Sequence, residues 1–113
     1  MVTIDSHTTN DNNVFELAVQ GEIDASSSIH LEKALKEAMS QSQKIIVDMS
    51  ELEYISSAGL GVFMSILQDL EQRNIQMVLF DLKQKVIEVF DILGLDQLMN
   101  IKATKEEALS ELI

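Results

Sequence analysis

The residues best placed for chemistry fall in one stretch, ISSAGLGVF, where Ser56 and Ser57 stand just ahead of Gly59 and Gly61. A serine hydroxyl can serve as a nucleophile, a phosphate acceptor or a helix cap, and its neighbours decide which. A nucleophile elbow needs glycine two residues before the serine as well as two after it. Ile55 holds the first of those positions, so Ser57 lacks that support. A phosphate-cradling loop needs a Gly-Lys-Ser continuation, and SAGLG has none. His7 and His30 have no carboxylate or second histidine at ligand spacing, so no metal site and no base for Ser57 is expected. Glu22 and Asp24, close together in GEIDASSS, are explained more simply by helix capping and solvation than by acid–base catalysis. The chain therefore reads as a non-enzyme, with no catalytic residue, no metal site and no cofactor.

The glycines still need a reason. GLGVFMSILQDL reads as a helix, and a glycine inside a helix costs about 1 kcal/mol relative to alanine. Yet two of the four glycines in the chain sit in this one turn. Close packing of the helix start on the sheet would explain them, and so would a partner approaching the backbone closely. On a helix over residues 57–71, Leu60, Phe63, Ile66, Leu67 and Leu70 face inward, and Ser57, Gly61, Met64 and Gln68 share an exposed stripe. Ser56 or Ser57 can cap that helix. A phosphate placed there faces free N–H groups and the positive end of the dipole. It would add about −1.5 to −2 charges without melting the fold, and a partner fitted to a hydroxyl would meet a dianion.

The elements that must position these residues follow from hydrophobic pattern. VTIDS and VFELAVQGEI read as strands of an antiparallel hairpin, with TTNDNN as its turn. A helix follows with Leu31, Ala34, Leu35 and Ala38 on one face, and the serines of DASSS are its possible caps. KIIVDM and IQMVLF are apolar enough to be strands covered on both faces. Asp81 is a possible cap for a third helix that buries Val86, Ile87 and Phe90 and ends near Gly94. QLMNI supplies a short strand, and Thr104 with Glu107 has capping-box spacing before a last helix. The order ββαβαβα, with a short strand and a final helix, specifies an α/β fold with right-handed crossovers.

Composition narrows the function. With 19 acidic against 8 basic residues the formal charge is −11, which repels phosphate backbones and anionic lipid; direct nucleic-acid or membrane binding is not expected. The absence of cysteine excludes disulfides and thiol chemistry. The N-terminal MVTIDSHTTNDNN lacks the basic and apolar regions of a secretory signal, and no apolar run is long enough to span a membrane. These features together point to a cytoplasmic protein.

Three stretches carry a family resemblance: VQGEIDASSS, VDMSELEYISSAGLGVFMSIL and VIEVFDILGLDQLMNI. In that order they resemble the bacterial anti-sigma factor antagonists, the single-domain members of the STAS fold, over nearly the whole chain. The resemblance implies one STAS domain over residues 1–113, with a mixed four- to five-stranded sheet and about four helices packed on it. It implies a protein whose unphosphorylated form binds an anti-sigma factor and releases that factor's target. The anti-sigma factor would be a serine kinase of the histidine-kinase-like ATPase type, and a PP2C-type phosphatase would reverse the modification. Carried onto this chain, the acceptor is Ser57, followed by Ala58, Gly59 and Leu60, and the loop aspartate near the phosphate is Asp24. The residue before the acceptor is often aspartate in the family; here it is Ser56, which makes Ser56 the alternative acceptor. The expected partner surface is Asp24, Ser56, Ser57, Gly59, Gly61 and Met64. Adaptors of other partner-switching pathways (stressosome-like, secretion or polysaccharide control) share the same features.

Overall fold

A computed structural model describes residues 2–8 and 13–112. The sheet has six strands, one more than the four to five expected, and all but the first run parallel to one another. β1 (Val2–Thr8) runs antiparallel to β2 (Phe15–Ile23) in unbroken register from Val2↔Gly21 to Thr8↔Phe15. α1 (Ser28–Gln41) leads to β3 (Lys44–Asp48), which lies parallel to β2. After β4 (Leu52–Ile55) comes α2 (Ser57–Gln72), then β5 (Gln76–Phe80), parallel to β3. α3 (Gln84–Ile92), a 3₁₀ turn at Leu95–Gln97, β6 (Asn100–Lys102) and α4 (Lys105–Glu111) complete the chain. The strand order is β1-β2-β3-β5-β6, with β4 also pairing with β2.

The mixed sheet and four helices are as the sequence leads one to expect, and β4 is a strand the pattern does not reveal. Its buried residues, Leu52 and Ile55, are three apart, with exposed Glu53 and Tyr54 between them, so the two-residue alternation of a strand is missing. β4 pairs with β2 at residues 21–23, beyond the 15–18 stretch that β3 occupies. Within the β4 pairing the register shifts between Gly21 and Glu22, and the φ of 97° at Gly21 is open to glycine and closed to most residues.

Helices α1, α2 and α3 cover one face of the sheet. Leu31, Leu35, Leu60, Phe63, Ile66, Val86 and Phe90 are buried there against Leu17, Val19, Ile45, Val47 and Leu79. Phe63 and Phe90 meet with ring centroids 5.6 Å apart, tying α2 to α3. Leu67, Leu70 and Ile87, read as inward, are half-buried at the rim of this core, and Val62 is buried in it. The other face has a smaller apolar patch of Val14, Ile46, Val78 and Phe80, closed by Ala108 of α4 with Leu112 beside it. Next to that patch the buried Glu16 forms an ion pair with Lys105 (2.8 Å), and His7 Nε2 lies 3.3 Å from the same carboxylate oxygen.

The hairpin turn expected over TTNDNN falls mostly on residues 9–12, outside the described residues. Thr104 caps α4 as its spacing implies: its Oγ1 accepts from the Glu107 N–H at 3.2 Å. Asp81 does not cap α3. It ends β5 in the left-handed region (φ 60°), where its N–H donates to the Lys102 carbonyl at 3.1 Å. The buried Leu82 comes next, and the helix starts only after Lys83. Gly94, with φ 72°, follows the last turn of α3 and lets the chain reverse, as the sequence indicates.

Candidate functional site

The β2–β4 pairing, with Glu53 of β4 left over at the register shift, brings the end of β2 beside the start of α2. Beyond the shift Ile23 pairs with Ile55, and the Ser56 N–H donates to the Ile23 carbonyl at 2.8 Å. Asp24 and Ser56 thus leave adjacent strand ends together, and the beginnings of α1 and α2 lie side by side. Neither Gly21 nor β4 figures in the sequence reading of the site. The visible signal was a glycine inside a strand-like run, which marks a bulge.

Asp24 opens the turn that runs into α1. Its carboxylate accepts from the Ser27 N–H at 2.9 Å, the Ser26 hydroxyl at 2.8 Å and the Ser27 hydroxyl at 3.0 Å. In return, Ser27 Oγ accepts from the Asp24 N–H at 2.8 Å, so the two residues cap each other. The Ser27 N–H, followed by the Ser26 and Ser27 hydroxyls, lowers the Asp24 pKa from 3.8 to about 2. The carboxylate is exposed and stays charged at any physiological pH. Asp24 thereby closes the turn ahead of α1, whose N-cap Ser27 makes no side-chain bond to the helix, and is a fixed negative charge beside the helix starts.

The structure assigns the cap of α2. Ser56 Oγ accepts from the Gly59 N–H at 3.3 Å, and its carbonyl accepts from the Leu60 N–H at 3.0 Å. Ser57 is the first helical residue; it is exposed, and its hydroxyl has no hydrogen-bond partner among the described residues. The first turn of α2 contains no acidic side chain, so its free N–H groups and dipole are not already neutralised.

Gly59 and Gly61 separate into different roles. A β-carbon on Gly59 would lie 2.7 Å from Ile55 Cγ1 and 2.8 Å from Ile23 Cγ2, so the buried Gly59 lets α2 sit down on β2 and β4. A β-carbon on Gly61 would meet nothing within 4 Å. Gly61 lies on the outer surface with Ser57, Gln68 and Met64, the last 49% exposed. Five of the six expected surface residues therefore gather at one end of the sheet and along the outside of α2, and Gly59 lies beneath them. Close by, Glu53 of β4 is gripped by Lys85 (2.9 Å) and Lys83 (3.5 Å) of the α3 start, and its pKa is lowered, most by the Lys85 hydrogen bond.

The STAS domain family matches residues 5–108. This chain belongs to the STAS domain family. Among curated relatives of this STAS protein, the anti-sigma-B factor antagonist of Listeria monocytogenes is 33% identical over 98 residues, 86% of each chain. The anti-sigma-B factor antagonist of Staphylococcus aureus is 26% identical over 106 residues, 93% of this chain and 98% of that one. The fold is shared with an anti-sigma factor antagonist from Mycobacterium paratuberculosis, at TM-score 0.83 and 22% identity, covering 97% and 94% of the two chains. It is also shared with unphosphorylated SpoIIAA, at TM-score 0.78 and 21% identity, covering 97% and 96%. The phosphorylated form of Bacillus SpoIIAA matches at TM-score 0.71 and 20% identity, over 98% of this chain and 100% of that one. No helix among the described residues of this STAS protein is long and apolar enough to cross a membrane.

Proposed function

We propose that this STAS protein is an anti-sigma factor antagonist whose docking is ended by phosphorylation of Ser57. The observation that carries the reading is the division of labour between the two serines. Ser56 spends its hydroxyl on the cap of α2, and Ser57 presents an unengaged hydroxyl on the exposed strip that runs through Gly61 to Met64. The anti-sigma-B factor antagonists of Listeria and Staphylococcus, matched over most of their length, supply the class of partner.

The partner is an anti-sigma factor that is also a serine kinase of the histidine-kinase-like ATPase type. It lies across Asp24, Ser57, Gly61 and Met64, where the bare Gly61 backbone lets it approach closely. The chain contributes the acceptor and the surface, and the partner supplies ATP and the catalytic groups. The Ser57 oxygen attacks the γ-phosphorus of ATP; ADP leaves, and the hydroxyl proton passes to a base of the kinase. The phosphate rests against the free N–H groups at the start of α2, so the fold tolerates it. It also stands beside the permanently charged Asp24, and a face that fitted a hydroxyl becomes a dianionic one that the kinase releases. A PP2C-type phosphatase restores the hydroxyl.

Incubation with ATP and the anti-sigma ATPase of the source organism tests this, with the modified residue located by peptide fragmentation. The phosphate is expected on Ser57, absent from Ser57→Ala and retained by Ser56→Ala. Phosphate on Ser56 in the native chain, or on neither serine, overturns the assignment.

A further inference from the structure

The chain has no cysteine, so all its sulfur is in six methionines. Among the described residues, Met39, Met49, Met77 and Met99 are packed in the core, none more than 5% exposed. Met64 alone stands outside it, 49% exposed on the outer side of α2. A long side chain on a helix leans toward the turn that precedes it, and on this face that turn carries Gly61. No side chain shields the thioether there: the space that a β-carbon on Gly61 would enter is empty to 4 Å. The next neighbour on the same stripe, Gln68, is itself exposed. Oxidants reach sulfur by its exposure, so this chain gathers its oxidisable sulfur at one point, about two turns along α2 from Ser57.

We infer that Met64 is an oxidation site, and that peroxide ends docking at the same face as phosphate does. The inference rests on the reading of that face as the partner's footprint. The sulfur lone pair attacks one oxygen of hydrogen peroxide: an S–O bond forms, the O–O bond breaks, and the second oxygen takes the proton of the first and leaves as water. Sulfur gives up two electrons to become the sulfoxide, and the peroxide is reduced by the same two. A flexible apolar thioether is replaced by a polar group with a strong acceptor oxygen. In the free chain that oxygen stands in water, so the fold is little affected. Under a docked partner it must be stripped of water and met by a donor, and a surface fitted to the thioether offers none. The two modifications answer to different inputs: the partner places the phosphate, and the surrounding solution places the oxygen. A methionine sulfoxide reductase reverses the second, as a phosphatase reverses the first.

Hydrogen peroxide at millimolar concentration, removed before assay, tests this on the full chain. Peptide mapping should find one added oxygen on Met64 well before any on Met39, Met49, Met77 or Met99, with the melting temperature unchanged. Affinity for the anti-sigma ATPase of the source organism should fall about tenfold or more, the scale set by one buried polar group without a partner. It should return after treatment with methionine sulfoxide reductase. Met64→Leu, with no sulfur at this position, should hold one affinity before and after peroxide. Oxidation of the core methionines as fast as Met64 overturns the inference. So does an oxidised chain that binds as tightly as before, or a Met64→Leu chain that still loses affinity, and none of these touches the role of Ser57. A Ser57→Asp chain that binds as tightly as the native one and is still released by peroxide overturns the role of Ser57 and supports that of Met64. An ATPase that does not bind the untreated chain overturns both.

Discussion

At Gly59 an added methyl would press on Ile55 and Ile23, both buried side chains in the centre of the core. Gly59→Ala is expected to lower stability by about 1–3 kcal/mol, read as a fall in the denaturant midpoint, because the neighbours have no room to give. At Gly61 the same methyl enters open space, so Gly61→Ala should raise stability by up to about 1 kcal/mol through helix propensity alone. If the proposed docking is right, that gain comes with weaker partner binding, and Gly61→Leu should weaken it further while the fold survives. A melting curve and a binding isotherm on the same three proteins separate the two roles. The sequence shows two costly glycines two residues apart but not which of them is packed. That depends on Ile23, more than thirty positions away. The serine pair is similar: either could cap by type, and only the Ile23–Ile55 pairing puts Ser56 at the helix end.

The starts of α1 and α2 owe their form to short-range hydrogen bonds, and these can be titrated or deleted. Ser56→Ala removes the acceptor of the Gly59 N–H and should cost about 1 kcal/mol, the usual loss for a helix cap. Asp24 gives a pH signature. Its folded pKa, about 2, lies below its ordinary 3.8, so its bonds to Ser26 and Ser27 contribute in full above 3.8 and are lost as pH falls toward 2. Amide exchange or chemical shifts of Ser26–Ser28 should follow that window, and Asp24→Ala should abolish the response. Long apolar runs made β3, β5 and the inward faces of α1 and α2 legible from sequence. β4 stayed hidden because it is four residues long and breaks alternation, and its neighbours on α3, Lys83 and Lys85, are thirty residues distant. Asp81 misled because aspartate is a good cap by type, whereas here the β5–β6 pairing holds its backbone in a left-handed turn.

Across the whole molecule the net charge of −11 should make association with a basic partner fast at low salt and slower as ions screen the field. Stopped-flow association rates measured against ionic strength should fall steeply, with much less change in dissociation. The central claim is that one phosphate-sized charge at Ser57 decides whether the partner is held while the fold stays put. The most direct test is affinity capture from lysate of the source organism with three baits: native chain, Ser57→Ala and Ser57→Asp. Retained proteins are identified by mass spectrometry, and each bait is checked by circular dichroism. The account predicts an ATP-binding serine kinase on Ser57→Ala, its loss from Ser57→Asp, and the same folded spectrum for all three. The same partners on every bait would contradict it and leave Ser57 as no more than the first residue of a helix.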